Sequence, residues 1–209
     1  GKGYPKLEVK STFDPMKKQV TINVAQTQEE KFEFPLSIDV LENGKISRKE
    51  FWVTAKAKND FVFDVTKNPE LINANPEGLL LSDIKQDKTP EQLFLQYTTA
   101  KDLYSKYTAI EEAKDQVSKN PFADKLYAAA LKDKFYRNRL LALEGLPEDP
   151  KSFLADVEKL AQNDEKNLVK GAAIGVLAKT KNPKYLPLFE KGINAISNSV
   201  KGNSLSGIA

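Results

Sequence analysis

The one compact aromatic-basic cluster in the sequence is "DKFYRNRLL", which holds Tyr136, Arg137 and Arg139. Arginine grips a carboxylate through two parallel N–H donors, so Arg137 and Arg139 are the candidate substrate-binding residues, suited to an anionic group such as a peptide carboxylate. The plainer reading is a helix face whose arginines lay their stems over apolar surface and keep their heads in water. Carboxylates offer less. Glu111 and Glu112 are adjacent, so on a helix they point about 100° apart and cannot face one another across a substrate. Glu148 and Asp149 precede Pro150, where a helix N-terminus favours acidic residues. Asp83 and Asp87 in "LSDIKQDKT" lack the spacing of a calcium loop and read as solvated connector acids. Gly171 and Gly175 in "KGAAIGVLAK" lack the preceding strand of a phosphate loop and suit close helix packing instead.

Composition narrows the chemistry further. The 209 residues include no histidine and no cysteine. Histidine is the commonest general base and metal ligand, so a Ser-His-Asp triad or a histidine-bound zinc within this chain is excluded. Disulfides, iron–sulfur clusters and thiol nucleophiles go with the cysteines, although their absence does not fix the compartment. No catalytic residue, metal ligand or bound cofactor is assigned to this chain.

The charge balance is close to even, 32 basic against 29 acidic residues. Residues 1–85 hold 13 of each, and the remainder holds 19 and 16, so no half is strongly basic. A nucleic-acid binder would concentrate Lys and Arg on one face, and neither nucleic acid nor membrane is expected as a partner. No apolar run approaches the roughly 20 residues a membrane helix needs. The start, Gly1-Lys2-Gly3-Tyr4-Pro5, has neither an initiator methionine nor the apolar segment of a signal peptide, so a processed chain or an excised piece is expected.

The elements that would position these residues change character along the chain. Up to about Thr66 the period is two. In "VTINVAQ", Val20, Ile22 and Val24 share a face, and in "FEFPLSIDVLENGKISRKEFWVTAKA" residues 32 to 40 place Phe32, Phe34, Leu36, Ile38 and Val40 together. Asn43-Gly44 fits a two-residue hairpin turn, whose central residues both need positive φ. That turn pairs residues summing to 87, which sets Leu36 against Phe51, Phe34 against Val53, and Asp39 against Arg48 as a favourable cross-strand pair. A further strand carries Phe61, Phe63 and Val65 on one face. Trp52 points away from Phe51, to cover a second face or dock a next domain. Short alternating strands at this spacing predict an antiparallel β-sandwich.

Past Lys85 the pattern is helical. Thr89-Pro90, Asn120-Pro121, Asp149-Pro150 and Asn182-Pro183 each put a good N-cap before a proline at the first helical position. Gln92 adds a capping box at the first of them. The spacings are 31, 29 and 33 residues. Between them recur "KYTAIEEA", "RLLALEGL" and "KGAAIGVL", which share a basic residue and then Ala109, Ala142 or Ala173 at the fourth position. Two interleaved markers of similar period predict stacked helix pairs, a short solenoid of HEAT/ARM-like repeats. Pro187 should kink the last of these helices or delay its start. The tail "VKGNSLSGIA" is expected to fray. The predicted domains are thus an Ig-like β-sandwich with its exit connector over 1–85 and a HEAT-like repeat domain over 86–209.

The order of these parts resembles the C-terminal region of the gluzincin aminopeptidases, the family of aminopeptidase N and leukotriene hydrolase. "GYPKLEV" is similar to the Gly-Tyr-Pro lead into that family's β-sandwich, and "VAQTQEEKFEFPLSI" and "WVTAKAKNDFVFDV" to the strand pairs that follow. "LINANPEGLLL" is similar to its exit, and "RLLALEGL" to the Arg-x-x-Ala helices of its HEAT-like region. The likeness covers almost the whole chain. In the family, zinc is held by a His-Glu-x-x-His helix and a distant Glu in an upstream domain. No position here matches those residues or the Gly-x-Met-Glu-Asn substrate motif, so none is carried over. The resemblance implies a non-catalytic fragment whose partners are the upstream catalytic domain of the same parent chain and, through it, peptide substrates. The alternative it leaves is a protein–protein scaffold, as in relatives that have lost zinc.

Overall fold

In the computed structural model, residues 3–209 are described, and Gly1 and Lys2 at the start lie outside them. The chain is a mixed β and α fold, with strands first and helices after. It divides into two compact units, 1–105 and 106–209.

The first unit holds seven strands: β1 (Lys6–Asp14), β2 (Gln19–Gln26), β3 (Phe34–Glu42), β4 (Lys45–Val53), β5 (Lys58–Asp64), β6 (Leu71–Ala74) and β7 (Asp83–Lys85). They form a four-stranded sheet in the order β5-β2-β1-β7 and a three-stranded sheet in the order β4-β3-β6. The hairpin lies in the expected register, with Leu36 opposite Phe51 and Asp39 opposite Arg48. Asn43 and Gly44 take φ of 54° and 70°, as a turn between two right-twisted strands requires. Leu7, Val9, Val20, Ile22 and Val24 of the first sheet and Leu36, Ile38, Val40 and Val53 of the second belong to one buried cluster. Phe51 stacks on Phe61 with ring centroids 4.6 Å apart.

One feature departs from the antiparallel expectation. The stretch read as a connector contains β7, which pairs with β1 in parallel, Lys6 opposite Asp83. The turn before it is shaped by Asn75, whose Oδ1 accepts the Leu80 N–H at 3.0 Å and whose Nδ2 donates to the Leu80 carbonyl at 2.9 Å. Gly78 in that turn has a φ of 66°, and a Cβ there would sit 2.9 Å from the Tyr104 ring, so only glycine fits. The crossover between the sheets is tied by Gln26, which is buried. Its Nε2 donates to the Phe32 and Thr54 carbonyls at 2.8 and 3.0 Å, and its Oε1 accepts the Phe32 N–H at 2.9 Å. Trp52 is 58% exposed and so covers no second face among the described residues.

Among the described residues eight α-helices follow: α1 (Pro90–Thr99), α2 (Leu103–Ala113), α3 (Pro121–Ala130), α4 (Tyr136–Glu144), α5 (Leu154–Asn163), α6 (Asn167–Lys179), α7 (Leu186–Gly192) and α8 (Asn198–Ile208). The boundary between the units falls inside α2, so α1, which packs on β6, belongs to the strand unit rather than beginning the helical one at residue 86. Thr89 caps α1 with the full capping box, and Asn120 caps α3 through the Phe122 N–H. Asn182 caps a 3₁₀ turn over Pro183–Tyr185, and α7 begins only at Leu186, the delayed start that Pro187 implies. Asp149 caps nothing. Its carboxylate pairs with Lys151 at 2.8 Å, and a 3₁₀ turn anchored by buried Phe153 leads into α5 instead.

Ala109, Ala142 and Ala173, the alanines of the recurring motif, are all fully buried. In the second unit α6 packs against α4, α5 and α8, and α7 packs on α8. The tail does not fray: it is α8. The glycines of α6 explain why. A Cβ on Gly171 would lie 2.1 Å from Ser199 Oγ, and one on Gly175 would lie 2.6 Å from Asn203 Oδ1. A polar, small-residue tail that looks poor in helix propensity is therefore a close-packing face, and tertiary contact overrides propensity.

Candidate functional site

Arg137 and Arg139 lie two residues apart on α4, and positions i and i+2 of a helix do not face each other. The structure accordingly separates them. Arg139 is buried and grips Asp164 side-on, Nε to Oδ2 at 2.7 Å and Nη2 to Oδ1 at 2.9 Å. Its Nη1 donates to the carbonyls of Asp133 and Lys134 at 2.8 and 3.1 Å. Asp164 also accepts the Lys166 N–H at 2.8 Å, so the arginine ties α4 to the link between α5 and α6. The Asp164 hydrogen bond holds the guanidinium pKa above its ordinary value, against the opposing effect of burial. Arg137 is exposed, its guanidinium 5.8 Å from the centre of the Tyr136 ring. Glu111, Glu112, Asp83 and Asp87 are all exposed.

The first unit carries a cavity of about 580 Å³. Its floor is the outward face of β3, β4 and β6, where Leu41 and Leu71 are buried and Ile46 is partly open. Its wall is the corner between α1 and α2, from Gln96 to Ser105. Hydrogen bonds brace that wall: Gln96 Nε2 donates to the Ser105 carbonyl at 2.8 Å, and Ser105 Oγ donates to the Pro76 carbonyl at 2.5 Å. Asp102 accepts the Ser105 N–H at 2.6 Å at the start of α2. Across the rim, Arg48 grips Asp39 side-on through Nε at 2.8 Å and Nη2 at 3.1 Å, while Nη1 donates to Glu77 at 2.7 Å. The Asp39 hydrogen bond is the main cause, and Glu77 the next, of a guanidinium pKa held well above the usual range.

The Asp39–Arg48 pair was legible from the hairpin register. Glu77, Asn73 and Ser105 were not, because they reach the cavity from segments far along the chain. A second cavity, about 630 Å³, lies on the second unit among α4, α6 and α8, lined by residues such as Leu140, Leu168, Gly175 and Asn203.

Among the described residues no group of three or more Asp and Glu side chains could hold a metal ion, and no helix is long and apolar enough to cross a membrane. No protein-family model and no curated protein matches the sequence. Among solved structures, aminopeptidase A of Legionella pneumophila, in complex with aspartic acid, is similar in fold. It matches with a TM-score of 0.69 over 99% of this chain at 15% identity. The chain spans 31% of that protein's length.

Proposed function

We propose that this chain is the non-catalytic C-terminal part of a zinc-dependent aminopeptidase-like protein. In this reading the paired sheets are a β-sandwich and the helices a HEAT-like repeat region. Together they position and cap the active-site cleft of a catalytic domain elsewhere in the parent chain. In this reading zinc, the general base and the peptide-binding motif belong to that domain, and the sequence here supplies no histidine. Closure of a helical cap would exclude water and complete the pocket for a peptide end. Of the two arginines on α4, Arg137 alone has an exposed guanidinium and is the one open to a peptide carboxylate.

One observation carries the reading: the likeness to an aminopeptidase runs through both units, end to end, yet occupies under a third of the longer chain. The test has two arms. The 209-residue chain, with and without added zinc, is assayed on aminoacyl-aminocoumarin substrates, and no hydrolysis is expected. The coding sequence upstream of Gly1 is then read for a His-Glu-x-x-His helix, and bound zinc is measured on the full-length protein. Stoichiometric zinc is expected. Hydrolysis by the chain alone overturns the non-catalytic assignment, and a parent without the helix or the metal leaves a binding scaffold instead.

A further inference from the structure

We propose that the cavity on the first unit binds a basic side chain, arginine or lysine, presented by a peptide. The proposal goes beyond the aminopeptidase reading and does not depend on it. The cavity's lining is the first reason. Asp39, Glu77 and Asp102 oppose Arg48 and Lys101, three acidic groups against two basic ones, so an incoming cation is favoured.

Unused acceptors are the second reason. Asn73 is 6% exposed, and its side chain makes one hydrogen bond among the described residues, a long 3.4 Å donation from Nδ2 to Ser105 Oγ. Its carbonyl oxygen remains as an acceptor on the lining. Glu77 uses Oε1 for Arg48, and its Oε2 accepts nothing from any described residue. A carboxylate has room for about four donors, so both Glu77 and Asp39 can serve a second cation. The spare capacity on Glu77 and Asp39 is acceptor-only and calls for a ligand that mainly donates, and guanidinium and ammonium heads have no acceptors at all.

The floor supplies the rest of the match. Leu41, Leu71 and Ile46 make an apolar bed beside these acceptors, on which the methylene stem of arginine or lysine can lie. Arg48 already demonstrates the recognition, because its own guanidinium spans Asp39 and Glu77 at the rim. A cavity of about 580 Å³ has space for one such side chain with its flanking peptide units.

The probes are acetyl-arginine methylamide and its neutral isostere acetyl-citrulline methylamide, titrated into the 209-residue chain and followed by amide chemical shifts. Saturable shifts around Leu41, Asn73 and Ser105 are expected with the arginine probe, and binding of the citrulline probe should be roughly tenfold weaker. Glu77→Gln should weaken the arginine probe about threefold or more, by removing one carboxylate. Arg48→Met keeps the stem, removes the competing cation and should tighten binding about threefold or more. A merely structural Arg48 would not produce that gain. Cooperative melting of both variants within about 5 °C of wild type verifies the fold. Equal binding of the two probes, or no saturable shift in the wild-type chain, overturns the proposal. So does weakening by Arg48→Met. Free agmatine binding more tightly than the arginine probe would overturn the peptide assignment in favour of a small amine.

Discussion

Arg48 in the first unit and Arg139 in the second make the same contact: Nε and Nη2 of each grip one aspartate side-on. Their surroundings differ. Arg139 and Asp164 are 10% and 2% exposed at the side chain, and the third guanidinium nitrogen is spent on two backbone carbonyls. Arg48 and Asp39 are 36% and 16% exposed, and the third nitrogen reaches a glutamate at the rim of a cavity. One arginine is therefore a clamp between helices. The other has partners with acceptor capacity to spare, within reach of a ligand. Pair geometry alone does not distinguish a clamp from a recognition element; what the remaining donors and acceptors face does.

Substitutions can break this comparison at its strong end first. Arg139→Ala leaves Asp164 buried without its cation and should cost about 3–5 kcal/mol, read by urea denaturation. A loss below about 1 kcal/mol would make the pair equivalent to a surface contact. Gly171→Ala forces a methyl group against Ser199 in α8 and should cost about 1–3 kcal/mol, with amide exchange rising over residues 198–208. Unchanged exchange there would mean that α8 does not depend on that approach.

A third test uses pH. Glu158 accepts from Lys184 Nζ at 2.8 Å and from Tyr185 Oη at 2.6 Å, and these bonds, the lysine's first, hold its pKa below the ordinary 4.5. A depressed carboxylate pKa means that the unfolded chain takes up the proton first. The stabilisation is thus fully present above about 4.5 and is lost as pH falls through the lower folded value. Thermal melts of wild type and Glu158→Gln should differ at pH 7 and converge on acidification. A difference that persists at pH 2 would contradict the linkage. At the weak end, Arg48→Met should cost no more than about 1 kcal/mol, as exposed pairs do. Arg137→Ala should change stability by less than about 0.5 kcal/mol. An Arg48 cost as large as that of Arg139 would collapse the distinction between clamp and recognition element.

Local rules carried much of the fold. Asn43-Gly44 demands positive φ at two consecutive residues, and once that turn exists the partners of every residue in the hairpin follow. Thr89-Pro90 and Asn120-Pro121 start helices because a side-chain oxygen and a missing N–H both act within one turn. Ala109, Ala142 and Ala173 were marked by a repeat and are fully buried. Each of these signals lies within a few residues or one period, which is the range over which sequence alone specifies geometry.

The failures share the opposite property. α8 has weak local signals and exists because Gly171 and Gly175, a helix away, leave room for it. β7 is a three-residue strand held by a partner near the start of the chain. Arg139 reads as a free cation until Asp164 arrives beside it, and Arg48 reads as one half of a hairpin pair until Glu77 and Asn73 close a cavity around it. The sequence by itself determined the hairpin register, the starts of α1 and α3 and the absence of histidine and cysteine chemistry. The packing of distant segments decided which charges are saturated and which remain available, because burial and hydrogen-bond satisfaction depend on neighbours that proximity along the chain does not supply.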